Sequence, residues 1–385
     1  MTRYIYADCA ATTPLDSDAF DAMVPYLREN FGNPSQPYAL SRVPKRALVE
    51  ARETIARAIN AEPDEIVFTS GATESDNSAI HAEFLDEESN RARSAVVASA
   101  FEHHAVLRPL EAVGRSGRRT ALVSPNLEGV VTPLALDTTL RTLAIAPRVV
   151  SIMTVNNELG SIQPIPELAE VVRRYGALFH TDATQAVGHI PVDVKALGVD
   201  LLSASAHKFN GPKGVGFLYI RRGLELAPYM TGGGQESGRR AGTENVAGIV
   251  GMSVALAKSV AATSSRAAKL NRMTDAFLSR LDTSGLEYVV NGSCRARTAP
   301  GLISLALPGL NAEALLHRLD LVGIVVSSGS ACDSSRTEVS HVLRAIGLDR
   351  QYAEGTIRVS FGAENREEDA VEVASAVVKI ARSYR

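Results

Sequence analysis

Short apolar runs alternate with segments of helical period as far as about residue 250. Ile66-Val67-Phe68 reads as a strand, with a helix to follow from about Thr73 to Leu85. Ala95 to Ala98 reads as a second strand, with a helix beginning at His104, and Arg148 to Met153 as a third strand. Pro166 opens the next helix, where the missing N–H removes no intrahelical bond. Leu168, Val171, Val172 and Tyr175 fall at helical spacing and Gly176 ends the helix. Ala177 to His180 is again a strand. Such alternation predicts an α/β layer fold with a mostly parallel sheet. Ligands of such sheets collect in the loops beyond the carboxyl ends of the strands.

The pattern changes at the Ala/Ser-rich stretch within Lys258 to Lys269. A domain boundary is expected there: a large domain over 14–260, and a smaller α+β domain from 1–13 and 261–385. Its strands are Tyr288 to Val290, Leu302 to Leu305 and Ile357 to Ser360. Its last helix has Asn365 as N-cap and Glu368 at the capping-box position.

A chain of 385 residues is long enough for two such domains. Its net charge of −3 and pI of about 6.3 give no pointer to nucleic acid or to a membrane surface. The first residues hold no continuous apolar core of a signal peptide, and no apolar run has the length of a membrane span. A cytoplasmic protein is expected. Cys9, Cys294 and Cys332 lie far apart and form neither a zinc spacing nor a disulfide framework. Free thiols follow, and a lone thiol is a candidate nucleophile.

Several segments carry candidate chemistry. In Ser205-Ala206-His207-Lys208-Phe209-Asn210-Gly211-Pro212-Lys213-Gly214 a lysine stands between two apolar runs. Taken alone it is a solvated loop residue; desolvated, its amine could form a Schiff base with an aldehyde. Ser70-Gly71-Ala72-Thr73-Glu74-Ser75 is a turn into a helix, either a plain cap or an anion site. Asp182, in Thr181-Asp182-Ala183-Thr184-Gln185, follows a strand, where an acid caps a turn or faces a ligand. Gly232 to Asn245 is Gly-rich, but its arginines and glutamine argue against a pure spacer. Cys332 lies among small polar residues in Ser327-Ser328-Gly329-Ser330-Ala331-Cys332, a context for a reactive rather than a buried thiol. Arg358 sits in an apolar strand and needs a partner, which a substrate carboxylate would supply bidentately.

From Ala10-Ala11-Thr12-Thr13-Pro14 to Arg358 these segments resemble the pyridoxal-phosphate enzymes of the cysteine desulfurase (NifS/IscS) family, which are class-V aminotransferase-like. The resemblance implies fold type I, aspartate aminotransferase-like: a large domain with a mostly parallel sheet plus a smaller α+β domain. It implies pyridoxal 5'-phosphate as cofactor and Lys208 as the lysine that binds it. Ala72, Thr73, Ser205 and His207 would form the phosphate cup, with Thr243 reaching the site of the partner in a homodimer. Asp182 would face the pyridine nitrogen, where a carboxylate keeps the ring an electron sink. Gln185 would face the phenolic oxygen. His103, in Phe101-Glu102-His103-His104, would stack on the ring and help proton transfer. Asn156, in Val155-Asn156-Asn157-Glu158-Leu159-Gly160, would face the cofactor's oxygen and the substrate carboxylate, and Arg358 would bind that carboxylate.

The implied reaction turns L-cysteine into L-alanine and leaves the sulfur as a persulfide on Cys332 for an acceptor protein. Iron–sulfur cluster assembly, tRNA thiolation and DNA sulfur modification are the implied pathways. No metal, membrane or direct nucleic-acid contact is expected. Alternative readings are a selenocysteine lyase or another small pyridoxal-phosphate lyase or aminotransferase, and a non-catalytic sulfur-carrier scaffold. Three positions depart from the family pattern: Tyr38 where His is usual, Cys9 beside the small-residue motif, and Asp333 after the thiol, whose charge should raise the thiol pKa slightly.

Overall fold

The computed structural model describes residues 4–82, 94–292, 294–329 and 339–384. A seven-stranded sheet runs in the order Ile66–Thr69, Gly216–Ile220, Leu201–Ser205, Leu178–Asp182, Pro147–Ser151, Ala95–Ser99, Arg119–Val123. Gly216–Ile220 is antiparallel to both neighbours, and every other pairing is parallel. Most of these strands are buried at every position, which is why they read as continuous apolar runs rather than alternating ones. Alternation survives as a choice of core. Val67, Val96, Val149 and Leu201 enter one apolar cluster, while Phe68, Val97, Val150 and Leu202 enter another on the opposite face.

A smaller antiparallel sheet runs Ser327–Ser328, Thr356–Ser360, Leu302–Ala306, Val289–Val290. Helices Thr263–Asp282, Ala312–Asp320 and Glu367–Arg382 pack on it through Met273, Phe277, Leu315, Leu319, Val373 and Val377. Strand Ile5–Tyr6 pairs with Ile324–Val325, so the N-terminus joins this second core. Val342, Leu343, Ile346 and Ala353 pack instead into the large core.

Two boundaries differ from the sequence expectation. The helix expected from Thr73 to Leu85 spans Ala72–Ile80 and is capped at His81, and Leu85 lies outside the described residues. The last helix is not capped by Asn365. Arg366 is the N-cap residue, and its N–H donates to Asp369 Oδ2 at 2.9 Å. Asn365 instead accepts from Gly362 N–H and donates to Tyr6 O, tying the helix entry to the N-terminal strand.

Among the described residues no single helix is long and apolar enough to cross a membrane. Val246–Ala261 and Thr263–Asp282 approach that character only as a pair, bent by 69°. Ile249, Met252, Leu256, Met273 and Phe277 bury their apolar surface within the protein.

The parallel strands end together at Thr69, Ser99, Ser151, Asp182 and Ser205. The loops leaving that edge build the site.

Candidate active site

A cavity of about 530 Å³ opens at this edge of the sheet. Ala72, Thr73, His103, Asp182, Gln185, Ser205, His207, Lys208 and Arg358 all line it. A cleft of about 680 Å³ lies at the opposite ends of the strands, lined by residues such as Ala177, Val199 and Arg221, and contains none of the candidate site residues.

One wall is the start of helix Ala72–Ile80. Gly71 turns the chain out of strand Ile66–Thr69 at φ +149°, a region that favours glycine. A Cβ at Gly216 would lie 2.8 Å from Gly71 Cα, so the two glycines let the backbones meet beneath the turn. The first N–H groups of any helix have no intrahelical partner, and here they border the cavity beside Ser205. Glu74 borders the cavity too, and its carboxylate accepts from Ser70 N–H at 2.8 Å and from Arg240 at 2.8 and 3.1 Å. Burial works to raise the Glu74 carboxyl, but Arg240 and Ser70 outweigh it and hold it below the usual range. The helix entrance therefore carries no competing free negative charge from this residue.

The opposite wall is the lysine turn. Strand Leu201–Ser205 ends in the short helical turn Ala206–Lys208, and Asn210 follows at φ +64°. Thr13 Oγ1 accepts from Asn210 N–H at 2.8 Å and donates to His207 O at 2.9 Å. This lashes the N-terminal segment over the turn. Lys208 Nζ donates to Ala10 O and Ala11 O at 2.7 and 2.9 Å. His207 Nδ1 lies 3.1 Å from Thr12 Oγ1, and burial, helped by Lys208 and Lys213, lowers its pKa to about 4. It is neutral near pH 7 and adds no charge next to the lysine.

Asp182 closes the floor. It is buried, and its Oδ1 accepts from Thr184 N–H at 2.9 Å. Gln185 Nε2 donates to Ala10 O at 2.8 Å, the same carbonyl that accepts from Lys208. His103 is the N-cap of helix His104–Arg115, and its Nδ1 accepts from Ala105 N–H at 3.1 Å. That bond assigns the proton of the neutral ring to Nε2. Burial lowers the His103 pKa more than Asp182 raises it, so the ring is neutral.

Three further carboxyls are buried around the site, Asp76 and Glu102 within electrostatic reach of Asp182, and Glu158 within that of Arg358. Asp76 borders the cavity, 3.6 Å from His180, and is pushed well above the usual range by burial and then by the charge of Asp182. Burial pushes Glu102 up to about 8 and Glu158 to about 7.

The asparagine expected at the cavity was Asn156, and the structure corrects this. Asn156 is fully buried: its Oδ1 accepts from Glu158 and Leu159 N–H at 2.9 Å, and its Nδ2 donates to Phe101 O at 3.0 Å. Its amide is spent on shaping the turn. Asn157 borders the cavity, and its Oδ1 is buried without a hydrogen-bond partner. Two identical neighbours in an irregular loop gave the sequence no means of telling which one turns inward.

Arg358 is buried and held from two sides. Its Nη2 donates to Asp8 Oδ1 at 2.8 Å and its Nη1 to Asn157 O at 2.9 Å, while Nε has no partner. Asp8 was not singled out from the sequence, nor were the Ala10 and Ala11 carbonyls. The small-residue run at 10–14 was the one signal for that wall.

Cys332 and Asp333 lie outside the described residues. Gly329, which follows strand Ser327–Ser328 and is the last described residue before them in the chain, lines the cavity. Thr243 is exposed and does not line the cavity of its own chain. Cys9 is held by burial at a pKa of about 12, and Cys294 is exposed.

The donor set fits pyridoxal phosphate. A helix entrance with adjacent hydroxyls suits a phosphate. A buried carboxylate faces the floor, and an amine lies within the same cavity. Thr184 Oγ1 and Arg358 Nε, both buried, are polar atoms still without partners.

The comparisons agree with this geometry. The family model for aminotransferase class-V matches residues 5–373. A cysteine desulfurase IscS of Dictyoglomus turgidum is 44% identical over 369 residues, 96% of this chain and 92% of that one. A solved NifS-like protein superposes with a TM-score of 0.89 at 33% identity, over 99% of this chain and 100% of that one. A structure described as SspA in complex with cysteine superposes with a TM-score of 0.80 at 31% identity, over 92% and 98%. The chain belongs to the class-V aminotransferase family, within its cysteine desulfurase branch, and is a pyridoxal 5'-phosphate enzyme.

Proposed function

We propose that this chain is a cysteine desulfurase that converts L-cysteine to L-alanine and takes up the sulfur as a persulfide on Cys332. One observation carries the reading: Lys208, Asp182 and Arg358 meet in one cavity whose wall also includes Gly329, where the Cys332 segment begins. A selenocysteine lyase or an aminotransferase would not require a thiol beside that cavity, and a carrier scaffold would not require the other three.

Bound pyridoxal phosphate supplies an electron sink for negative charge developing at the substrate Cα. The N–H groups of Ala72 and Thr73, with Ser205 and His207, would hold its phosphate. Asp182 would hold a proton at the ring nitrogen and Gln185 would face the phenolic oxygen. Arg358 binds the substrate carboxylate, with the Asn157 side chain beside it in the role first expected of Asn156. Lys208 Nζ takes the Cα proton, and the Nε2 side of the neutral His103 ring assists. Cys332 Sγ, as thiolate, attacks the substrate sulfur. An S–S bond forms as the substrate C–S bond breaks, and the C–S electron pair stays with the carbon fragment, which gains a proton at Cβ. The net change is L-cysteine plus thiol to L-alanine plus persulfide, with no external oxidant.

The proposal extends to assembly. Thr243 is exposed in a Gly-rich segment, and Phe20, Leu27, Leu40, Val43 and Val49 stand exposed on the nearby helical segments. These features suit a homodimer in which Thr243 reaches the partner's phosphate site. The division into 14–260 and 1–13 with 261–385 is retained as the domain proposal. A cytoplasmic location, no membrane or direct nucleic-acid contact, and a protein acceptor in iron–sulfur assembly, tRNA thiolation or DNA sulfur modification complete it.

A stoichiometric pulse of L-cysteine on the purified enzyme, followed by peptide mass mapping, tests the function. One added sulfur atom on the Cys332 peptide, with one alanine released, is expected. Alanine without added sulfur on Cys332 would point to a lyase instead.

A further inference from the structure

Glu158 is a buried carboxyl outside the cavity lining, 4% exposed, in the turn after strand Pro147–Ser151. Its backbone is fixed: Glu158 N–H donates to Asn156 Oδ1 at 2.9 Å, and Gly160 N–H donates to Asn156 O at 2.9 Å. A buried carboxyl is costly, and an apolar residue would fill the same space with no desolvation. What the carboxyl does there is make contact with two chain segments far apart in sequence.

The first is at Ser340. Its Oγ donates to Glu158 Oε2 at 2.7 Å and accepts from Val342 N–H at 3.1 Å, capping helix His341–Ala345. That helix is set in the large core by Val342 and Leu343. The second is at Gly329, which follows strand Ser327–Ser328. A Cβ on Gly329 would overlap Glu158 Oε2, so the backbone runs close against the carboxyl group there. Ser327 in turn pairs with Arg358 across the smaller sheet. Residues 329 and 340 bracket the segment that holds Cys332, and both meet the same carboxylate oxygen.

We propose that Glu158 is a positioning residue for sulfur transfer: its carboxyl group holds Ser340 by a hydrogen bond and packs against Gly329, at the two ends of the segment bearing Cys332, and thereby sets where the thiol can reach. This rests on the reading of Cys332 as the sulfur acceptor. Fixing the ends of a chain segment raises the effective concentration of a group within it at one place. Releasing one end lowers it, while Arg358 keeps its bonds to Asp8 and to Asn157 O. The Glu158 charge also acts on Arg358, and Ser340→Ala, which leaves that charge in place, separates the two effects.

The test uses the full-length, cofactor-loaded enzyme with Glu158→Ala, Ser340→Ala, Glu158→Gln and Cys332→Ala. Three quantities are read: the cofactor absorbance change on adding L-cysteine, the single-turnover rate of sulfur appearance on Cys332, and the alkylation rate of Cys332 relative to Cys294. Glu158→Ala and Ser340→Ala should keep the absorbance change at wild-type L-cysteine concentrations and slow sulfur transfer about tenfold or more. Both should alter the alkylation rate of Cys332 and leave that of Cys294 unchanged. Glu158→Gln keeps an oxygen for the Ser340 hydroxyl and should stay within about threefold of wild type. Should Glu158→Ala fail to fold, Ser340→Ala decides alone. Wild-type transfer in the two alanine variants, or equal loss of the absorbance change and of transfer, overturns the role of Glu158 while an inactive Cys332→Ala leaves the desulfurase reading standing. A Cys332→Ala enzyme that still desulfurates overturns both.

Discussion

Asp8 and Arg358, 350 positions apart in sequence, form an ion pair of 2.8 Å at the cavity wall. The pair leaves the Arg358 charge compensated yet its Nε without a partner. Asp8 therefore orients the guanidinium that is proposed to receive the substrate carboxylate. Asp8→Asn keeps the shape and removes the charge. A hydrogen bond to a charged group is worth about 1.5–3 kcal/mol, so KM for L-cysteine should rise on the order of tenfold or more. kcat should change far less, because Asp8 does not reach the reacting atoms. Steady-state kinetics checks this; a fall in kcat at unchanged KM would contradict it.

Lys208 and Thr243 should belong to sites shared between subunits. A hybrid dimer of one Lys208→Ala chain and one Thr243→Ala chain holds one site with both residues intact and one with neither. Mixing the two impaired proteins after reversible dissociation should restore activity to about half that of wild type per hybrid dimer. Mixtures that remain as impaired as their components would place Thr243 in its own chain's site, or in none.

Glu102 makes stability depend on pH. Its folded pKa of about 8, raised by burial and, less, by Asp182 against the bonds from Ser99 and Met153, exceeds the ordinary 4.5. The folded state thus keeps a proton that the unfolded chain has lost between those values. The contribution is fully present below 4.5 and is lost as pH rises through 8. His180 and His189 act oppositely: burial lowers them to about 3 and about 4 from 6.5, so their contribution is present above 6.5 and lost as pH falls. Glu102→Gln imitates the protonated acid. Its Tm should equal or trail that of wild type at pH 5 and exceed it at pH 9, as melting curves across that range would show. Parallel curves for the two proteins would refute the assignment.

The central strands were legible because burial on both faces leaves an apolar run that little else imitates. Lys208, Asp182 and His103 were legible because each stands just beyond such a run, where the sheet places its loops. Asp8 was not, since an ion pair across the whole chain leaves no local pattern. Asn157 was hidden beside Asn156, because an irregular loop has no period to say which side chain faces in. Asn365 looked like a cap by residue type, but its side chain is engaged by Gly362 and Tyr6, and the helix starts one residue later. Thr243 is exposed and lines no part of the cavity of its own chain, so no contact within the chain marks it out.

The central claim is that Cys332 takes the sulfur while the rest of the cavity binds and activates the substrate. Alanine release from L-cysteine, measured for Cys332→Ala, Cys9→Ala and Cys294→Ala side by side, tests it most directly. Cys332→Ala should still bind the cofactor and still respond to L-cysteine by a change in absorbance, since neither step uses the thiol. Its turnover should fall by about three orders of magnitude or more, as removal of a nucleophile does. Cys9→Ala and Cys294→Ala should stay within a few-fold of wild type. Alanine release by Cys332→Ala at a rate near that of wild type would contradict the account.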